Sequence, residues 1–99
     1  MQIKSSGTGE LTISGNIKSI EDSAQIKEAV VALQKAGATA MVLKIEDSFS
    51  MTSTVIGFLT KLVQVDKVGV SLVVGDQRLY QLLEELCLIH PFNIRLGAG

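Results

Sequence analysis

Five hydroxyl side chains within seven positions are the residues of this chain best placed to do chemistry. They are Ser48, Ser50, Thr52, Ser53 and Thr54. A hydroxyl between a strand and a helix can accept hydrogen bonds from the unpaired N–H groups of the first helical turn, so Thr52 or Ser53 is predicted to be an N-cap. A serine hydroxyl can also carry a phosphate, which adds about 1.5 to 2 negative charges. The cluster therefore predicts a helix start and, at an exposed serine, a point of regulation.

A strip of small and polar residues is predicted on the helix that follows. At about 100° per residue, Ser53, Gly57, Thr60 and Gln64 share the side opposite the apolar residues. A glycine inside a helix costs about 1 kcal/mol relative to alanine, and Gly57 has no core-packing reason to be there. Close approach by the backbone of another protein would explain it. The predicted partner-binding residues are Thr52, Ser53, Thr54, Gly57, Thr60, Lys61 and Gln64.

The remaining reactive side chains favour structural roles. Cys87 and His90 are three positions apart, but no orienting acid is identifiable, and a buried structural thiol is expected. One Cys and one His cannot make a zinc site from this chain. The adjacent Glu84 and Glu85 diverge by about 100° on a helix, which favours solvated charges over a catalytic pair. Glu46 and Asp47 lie at the end of a predicted strand, where parallel sheets often bind ligands, but no glycine-rich phosphate loop accompanies them. Nucleotide binding is therefore not predicted. Neither enzymatic activity nor a metal or cofactor is predicted.

Hydrophobic periodicity predicts the elements that position the cluster. Strands are expected at 2–6, 10–14, 40–45, 68–74 and, as a short edge strand, 92–96, and helices at 19–35, about 54–64 and from 76 to near 87. A turn at Gly7 to Gly9 would join the first two strands into a hairpin. This alternation predicts an α/β fold with a four- to five-stranded mixed sheet packed against helices, and with right-handed crossovers.

Several segments of the chain resemble those of a known domain family. Segment 43–57, LKIEDSFSMTSTVIG, resembles the signature of STAS domains, a strand followed by Phe-Ile-Asp-Ser-Ser-Gly-Leu-Gly. Segment 13–17, ISGNI, is similar to the Leu-x-Gly-Glu-Leu segment of that family, and the third helix followed by Leu88 and Phe92 is similar to its C-terminal end. The resemblance implies one STAS-like domain over 1–99.

The resemblance also implies a function in bacterial partner switching. Ser53 falls on the serine that is phosphorylated in anti-sigma factor antagonists of this family. The unphosphorylated domain binds an anti-sigma factor with serine-kinase activity, and phosphorylation releases the complex. Thr52 and Lys18 stand where the family has acidic residues, and Val55 replaces a glycine beside the serine. These departures suit an alternative, a constitutive STAS subunit of a larger complex such as a lipid-transport assembly, which is not phosphorylated.

Composition narrows the partners further. The chain has 99 residues, 9 basic and 10 acidic, interspersed and without a basic stripe. Without a basic stripe, nucleic acid is not an expected partner. The four aromatic residues are scattered along the sequence, so no platform on which bases could stack is expected either. No stretch approaches the ~18 apolar residues of a membrane span, and a lone cysteine fits a reducing compartment. We expect one cytoplasmic, soluble domain with no direct membrane insertion and a frayed tail at 97–99.

Overall fold

The α/β fold class and the mixed sheet are confirmed. The computed structural model describes residues 1–5 and 9–97, which form a five-stranded sheet and three helices. In chain order the elements are β1 (Gln2–Ser5), β2 (Glu10–Ser14), α1 (Ile20–Lys35), β3 (Ala40–Ile45), α2 (Ser53–Gln64), β4 (Gly69–Val74), α3 (Gln77–Glu85) and β5 (Ile94–Leu96). No described helix is long and apolar enough to cross a membrane.

The strands lie side by side in the order in which they occur along the chain. β1 pairs antiparallel with β2, as the predicted hairpin requires, and each later strand pairs parallel with the one before it. Leu11 of β2 is opposite Leu43 of β3, Leu43 is opposite Leu72 of β4, and Leu72 is opposite Ile94 of β5. This register places one continuous apolar row across the sheet.

All three helices cover the same face of the sheet. Right-handed crossovers that always advance in one direction must place their helices on one side. Burial follows this rule, because strand residues alternate between buried and exposed positions. The covered face forms the core with the inward sides of the helices, whose buried apolar residues include Ile26, Val30, Val55, Leu59, Leu62, Leu79 and Leu83. We call the uncovered side the open face.

Helix α1 has clear signals at both ends. Its N-cap is Ser19, whose hydroxyl accepts from the Asp22 N–H. Ile26 and Val30, which lie four positions apart on the predicted apolar side of the helix, are buried. Gly37 follows the C-cap with φ +99°, the left-handed conformation expected there.

The C-terminal third differs from the sequence prediction in three places. The spacing of Leu79, Leu82, Leu83 and Leu86 predicts one apolar side of a helix that ends near residue 87. Helix α3 instead ends at Glu85, and Leu86 is 48% exposed. Cys87 adopts φ 59° in the following turn and is exposed, so the expectation of a buried thiol is wrong. Phe92 is fully buried, but it precedes β5 instead of belonging to it.

The chain ends and the first turn complete the fold. Gly97 donates its N–H to the Val74 carbonyl at 2.9 Å, so the predicted fraying does not include residue 97. Residues 98 and 99 lie outside the described residues, as do residues 6–8 of the predicted first turn. Gly9, the described residue of that turn, has φ +75° and lies against the Ala40 carbonyl.

Candidate functional site

The hydroxyl cluster lies at the carboxyl edge of the parallel strands, where two loops are joined by side chains. Asp47, after β3, accepts a hydrogen bond from the Gly15 N–H at 2.6 Å, after β2. The buried Ser48 hydroxyl accepts from the Ile17 N–H at 3.0 Å and donates to the Ser50 carbonyl. Asp47 and Ser48 therefore join the loop after β2 to the loop that leads into α2.

Thr52 is the N-cap of α2, one of the two residues predicted for that role. Its hydroxyl accepts from the Val55 N–H at 3.3 Å and is 2.6 Å from the hydroxyl of Ser23 in α1. Ser23 is itself buried and donates to the Ser19 carbonyl. Because Thr52 is bonded on both sides, it holds the starts of α1 and α2 together.

Ser53 is the first residue of α2 and is exposed. The first turn of α2 contains no acidic residue, so the partial positive charge of the helix N-terminus is not neutralised there. An added phosphate on Ser53 would therefore meet a favourable helix dipole and open solvent. Lys18, which with Thr52 stands where the resembling family has an acidic residue, is exposed in the loop before α1.

The predicted strip on α2 is present and faces outward. Ser53, Gly57 and Gln64 are exposed. Apart from the neighbouring backbone of α2 itself, no atom of residues 1–5 and 9–97 lies within 4 Å of the position that a Gly57 Cβ would occupy. Thr60 is half-buried, and its hydroxyl donates to the Ile56 carbonyl at 2.8 Å. The flanking Thr54 and Lys61 are exposed. The seven predicted contact residues thus lie on one helix and its cap, with Thr52 and Thr60 contributing the least surface.

Two large apolar side chains are exposed close to the start of α2, and neither was predicted as part of the site. Ile20 is 84% exposed at the start of α1, one turn before the Ser23 that bonds Thr52. Phe49 is 45% exposed in the loop before α2. Helical periodicity could have identified Ile20, since it lies outside the apolar stripe of α1. The sequence carried no comparable signal for Phe49.

An arginine at the start of α3 contacts the Phe49 ring. The Arg78 guanidinium lies 4.8 Å from the centre of the ring. The same guanidinium contacts the Asp76 carboxylate at 2.8 Å, and that carboxylate also caps α3 through the Arg78 N–H. These side-chain and backbone hydrogen bonds from Arg78 lower the pKa of Asp76 and keep it ionised. The arginine that contacts the exposed ring is therefore itself bound to the N-cap of α3.

The other reactive residues form no second site within the described part of the chain. Glu84 and Glu85 are exposed, as expected for solvated charges. Residues 1–5 and 9–97 contain no group of three His, Cys, Asp or Glu side chains that could hold a metal ion. No family model, curated protein or solved structure matches this chain.

Proposed function

We propose that this chain is a protein-binding module of the STAS type, acting like an anti-sigma factor antagonist and docking a partner on the outer side of α2. The observation that supports this most directly is the empty space beside Gly57. An interior glycine destabilises the helix relative to alanine, although no described residue packs against Gly57. A flat, small-residue helix side lets the backbone of a second protein come close.

The surroundings of the strip supply what a protein interface needs. Ile20 and Phe49 offer exposed apolar surface near the start of α2, and Arg78 presents a guanidinium over the aromatic ring. Aromatic and arginine side chains are the residue types most enriched among those that dominate binding energy. The proposed interface therefore combines two apolar anchors with a strip that permits close packing.

Phosphorylation of Ser53 is the switch that we propose for this interface. The partner supplies the kinase activity, and this chain catalyses nothing. A phosphate on Ser53 would be tolerated by the free domain because the residue is exposed at a helix N-terminus. Against a packed partner it would cost desolvation and repulsion. The modification would thus act on binding and leave the fold intact.

We also propose that the module works in the cytoplasm. Its single cysteine is an exposed free thiol. Exposed thiols persist in reducing compartments, whereas oxidising ones convert them to disulfides.

Affinity purification of the tagged domain from its native cell, followed by intact-mass spectrometry, tests this function. We expect an anti-sigma factor with a kinase domain to be recovered, and a fraction of the tagged chain to carry one phosphate at Ser53. Gly57→Leu is the matched negative control, since its bulk should weaken capture of the partner without unfolding the domain. Recovery of membrane-transport subunits with an unphosphorylated chain would instead identify the constitutive STAS subunit and refute the switch.

A further inference from the structure

The open face of the sheet has no helix over it and carries a distinct set of charges. Its strand residues are Gln2, Lys4, Glu10, Thr12, Ser14, Ala40, Val42, Lys44, Gly69, Ser71, Val73 and Arg95, and none of them is buried. Among them are three basic residues and one acidic residue. The rest of the chain holds six basic and nine acidic residues. The strand residues of the open face are thus positive on balance, whereas the rest of the chain is negative on balance.

The three cations lie in a single row across the sheet. The register places Lys4 opposite Thr12, Thr12 opposite Lys44, Lys44 opposite Val73, and Val73 opposite Arg95. Neighbouring strands are about 4.8 Å apart, so successive cations are separated by two strands, or about 10 Å. The row therefore presents a positive charge at a regular spacing over the whole width of the sheet.

Local pairing leaves most of this charge available. Lys44 contacts the Glu10 carboxylate at 2.9 Å, and both side chains remain partly exposed. Among the described residues, Lys4 and Arg95 have no carboxylate within salt-bridge distance. Val73 lies in the row between Lys44 and Arg95, and Val42 lies in the neighbouring row, opposite Glu10. Both valines are half-buried and offer a modest apolar surface.

We propose that the open face binds an acidic segment of a partner polypeptide, with carboxylates on the cation row and small apolar side chains on the two valines. A polyproline II segment has three residues per turn and rises about 3.1 Å per residue, so acidic residues at every third position lie on one side about 9 Å apart and match the row. The proposal does not rest on the proposed function, because α2 and Ser53 are on the other side of the sheet.

The same face fits other occupants poorly. A second copy of this chain would place cations against cations. None of the exposed large apolar side chains, Ile20, Phe49, Val65, Leu86 and Leu96, belongs to the open face, so it has no group to insert into a lipid bilayer. No strand residue of this face is aromatic, so it offers no ring on which a base could stack.

Titration of the isotope-labelled domain with a synthetic peptide of repeated Glu-Leu-Ser triplets tests the proposal. We expect amide shifts confined to the strand residues of the open face, and binding that weakens with added salt. Lys4→Glu with Arg95→Glu should weaken the affinity at least about tenfold, because both changes place like charges opposite the peptide. The matched control, Lys35→Glu with Lys67→Glu, makes the same charge change off this face and should alter affinity less than about twofold.

Thermal melts of both double variants confirm folding, and Lys4→Gln with Arg95→Gln replaces the first pair if it does not fold. Equal weakening by the control pair, shifts centred on α2, or no binding of the peptide would overturn the proposal. So would binding of anionic phospholipid vesicles or a single-stranded RNA oligonucleotide by this face in preference to the peptide.

Discussion

Gly57 and Ser53 show, at the scale of single residues, that the outer side of α2 is shaped for something other than stability. Gly57 is helical and exposed, and the space for a side chain is empty. Ser53 is exposed at a helix N-terminus with no acidic neighbour in its turn. Both positions can be changed without disturbing the core, so stability and binding can be measured separately.

Gly57→Ala should stabilise the domain by about 0.5 to 1 kcal/mol, because alanine fits the empty space and loses less backbone entropy on folding. Urea denaturation of the two proteins measures the difference. Gly57→Leu should also fold but weaken capture of the partner through its bulk. A destabilised alanine variant would show that the space is occupied.

Ser53→Asp should abolish or strongly weaken partner binding while changing the free energy of unfolding by less than about 1 kcal/mol, since a carboxylate is tolerated at a helix N-terminus. Calorimetric titration with the recovered partner measures the affinity. Ser53→Asn is the control, because it has nearly the same shape without the charge and should bind more tightly than the aspartate variant. Unchanged affinity of Ser53→Asp would contradict the proposed interface.

At the scale of elements, the sequence predicted the regular segments well and the contacts between them poorly. The bounds of β2 follow from alternation, those of β3 follow from an apolar run, and the start of α2 follows from the hydroxyls before it. The bond between Ser23 and Thr52 joins residues 29 positions apart, and no local pattern encodes such a pairing. Helix α3 ends earlier than its apolar stripe because Cys87 turns the chain with a positive φ.

In the candidate site, too, the sequence predicted the residues on one helix but not the contacts between separate elements. Periodicity alone placed the strip of α2 on the outer side, because that side is the complement of a clear apolar stripe. The contact between Phe49 and Arg78 depends on how the loop after β3 meets the start of α3 at the sheet edge. The order of the strands decides this arrangement. Sequence reasoning therefore found the helix side and missed the loop that borders it.

Leu59→Ala should destabilise the domain by roughly 2 to 5 kcal/mol, because Leu59 is fully buried between α2 and the sheet and its truncation leaves a cavity. Chemical denaturation measures the loss. Lys61→Ala, two positions away and exposed, should change stability by less than about 0.5 kcal/mol. Similar effects of the two substitutions would mean that α2 does not pack as described.

Ser48→Ala should destabilise the domain by about 1 to 3 kcal/mol, since it removes the acceptor of the buried Ile17 N–H. The amide of Ile17 should then exchange hydrogen faster, which NMR detects directly. Ser53→Ala removes an exposed hydroxyl and serves as the control. Unaltered protection of Ile17 would show that the two loops are not joined through Ser48.

For the molecule as a whole, the polar groups in the described core are hydroxyls. Its buried polar side chains are Ser23 and Ser48, which do not titrate, and every buried side-chain nitrogen or oxygen atom in this part of the chain has a hydrogen-bond partner. The groups with clearly shifted pKa values are at the surface, where Asp22 and Asp76 support the first turns of α1 and α3. Both of these carboxylates therefore act at helix ends.

Stability should fall in acid through these two carboxylates. Hydrogen bonding to the Lys18 N–H lowers the pKa of Asp22, and hydrogen bonding to Arg78 lowers the pKa of Asp76. A lowered pKa in the folded state means that this stabilisation is present above the ordinary carboxyl pKa of about 3.9 and is lost as the pH falls through the folded value. Urea denaturation at a series of pH values measures how steeply the free energy of unfolding falls with pH. Asp76→Asn should make this slope smaller. An unchanged slope would contradict the role of Asp76.

The order of the strands also bears on how the domain can assemble during synthesis. Each strand pairs with the strand made immediately before it, and no gap must stay open for a later one. Parallel pairing is slow when it must bring distant segments together. Here a growing chain can dock each new helix and strand on an edge that has already formed, so the ribosome delivers the segments in the order in which the sheet can accept them.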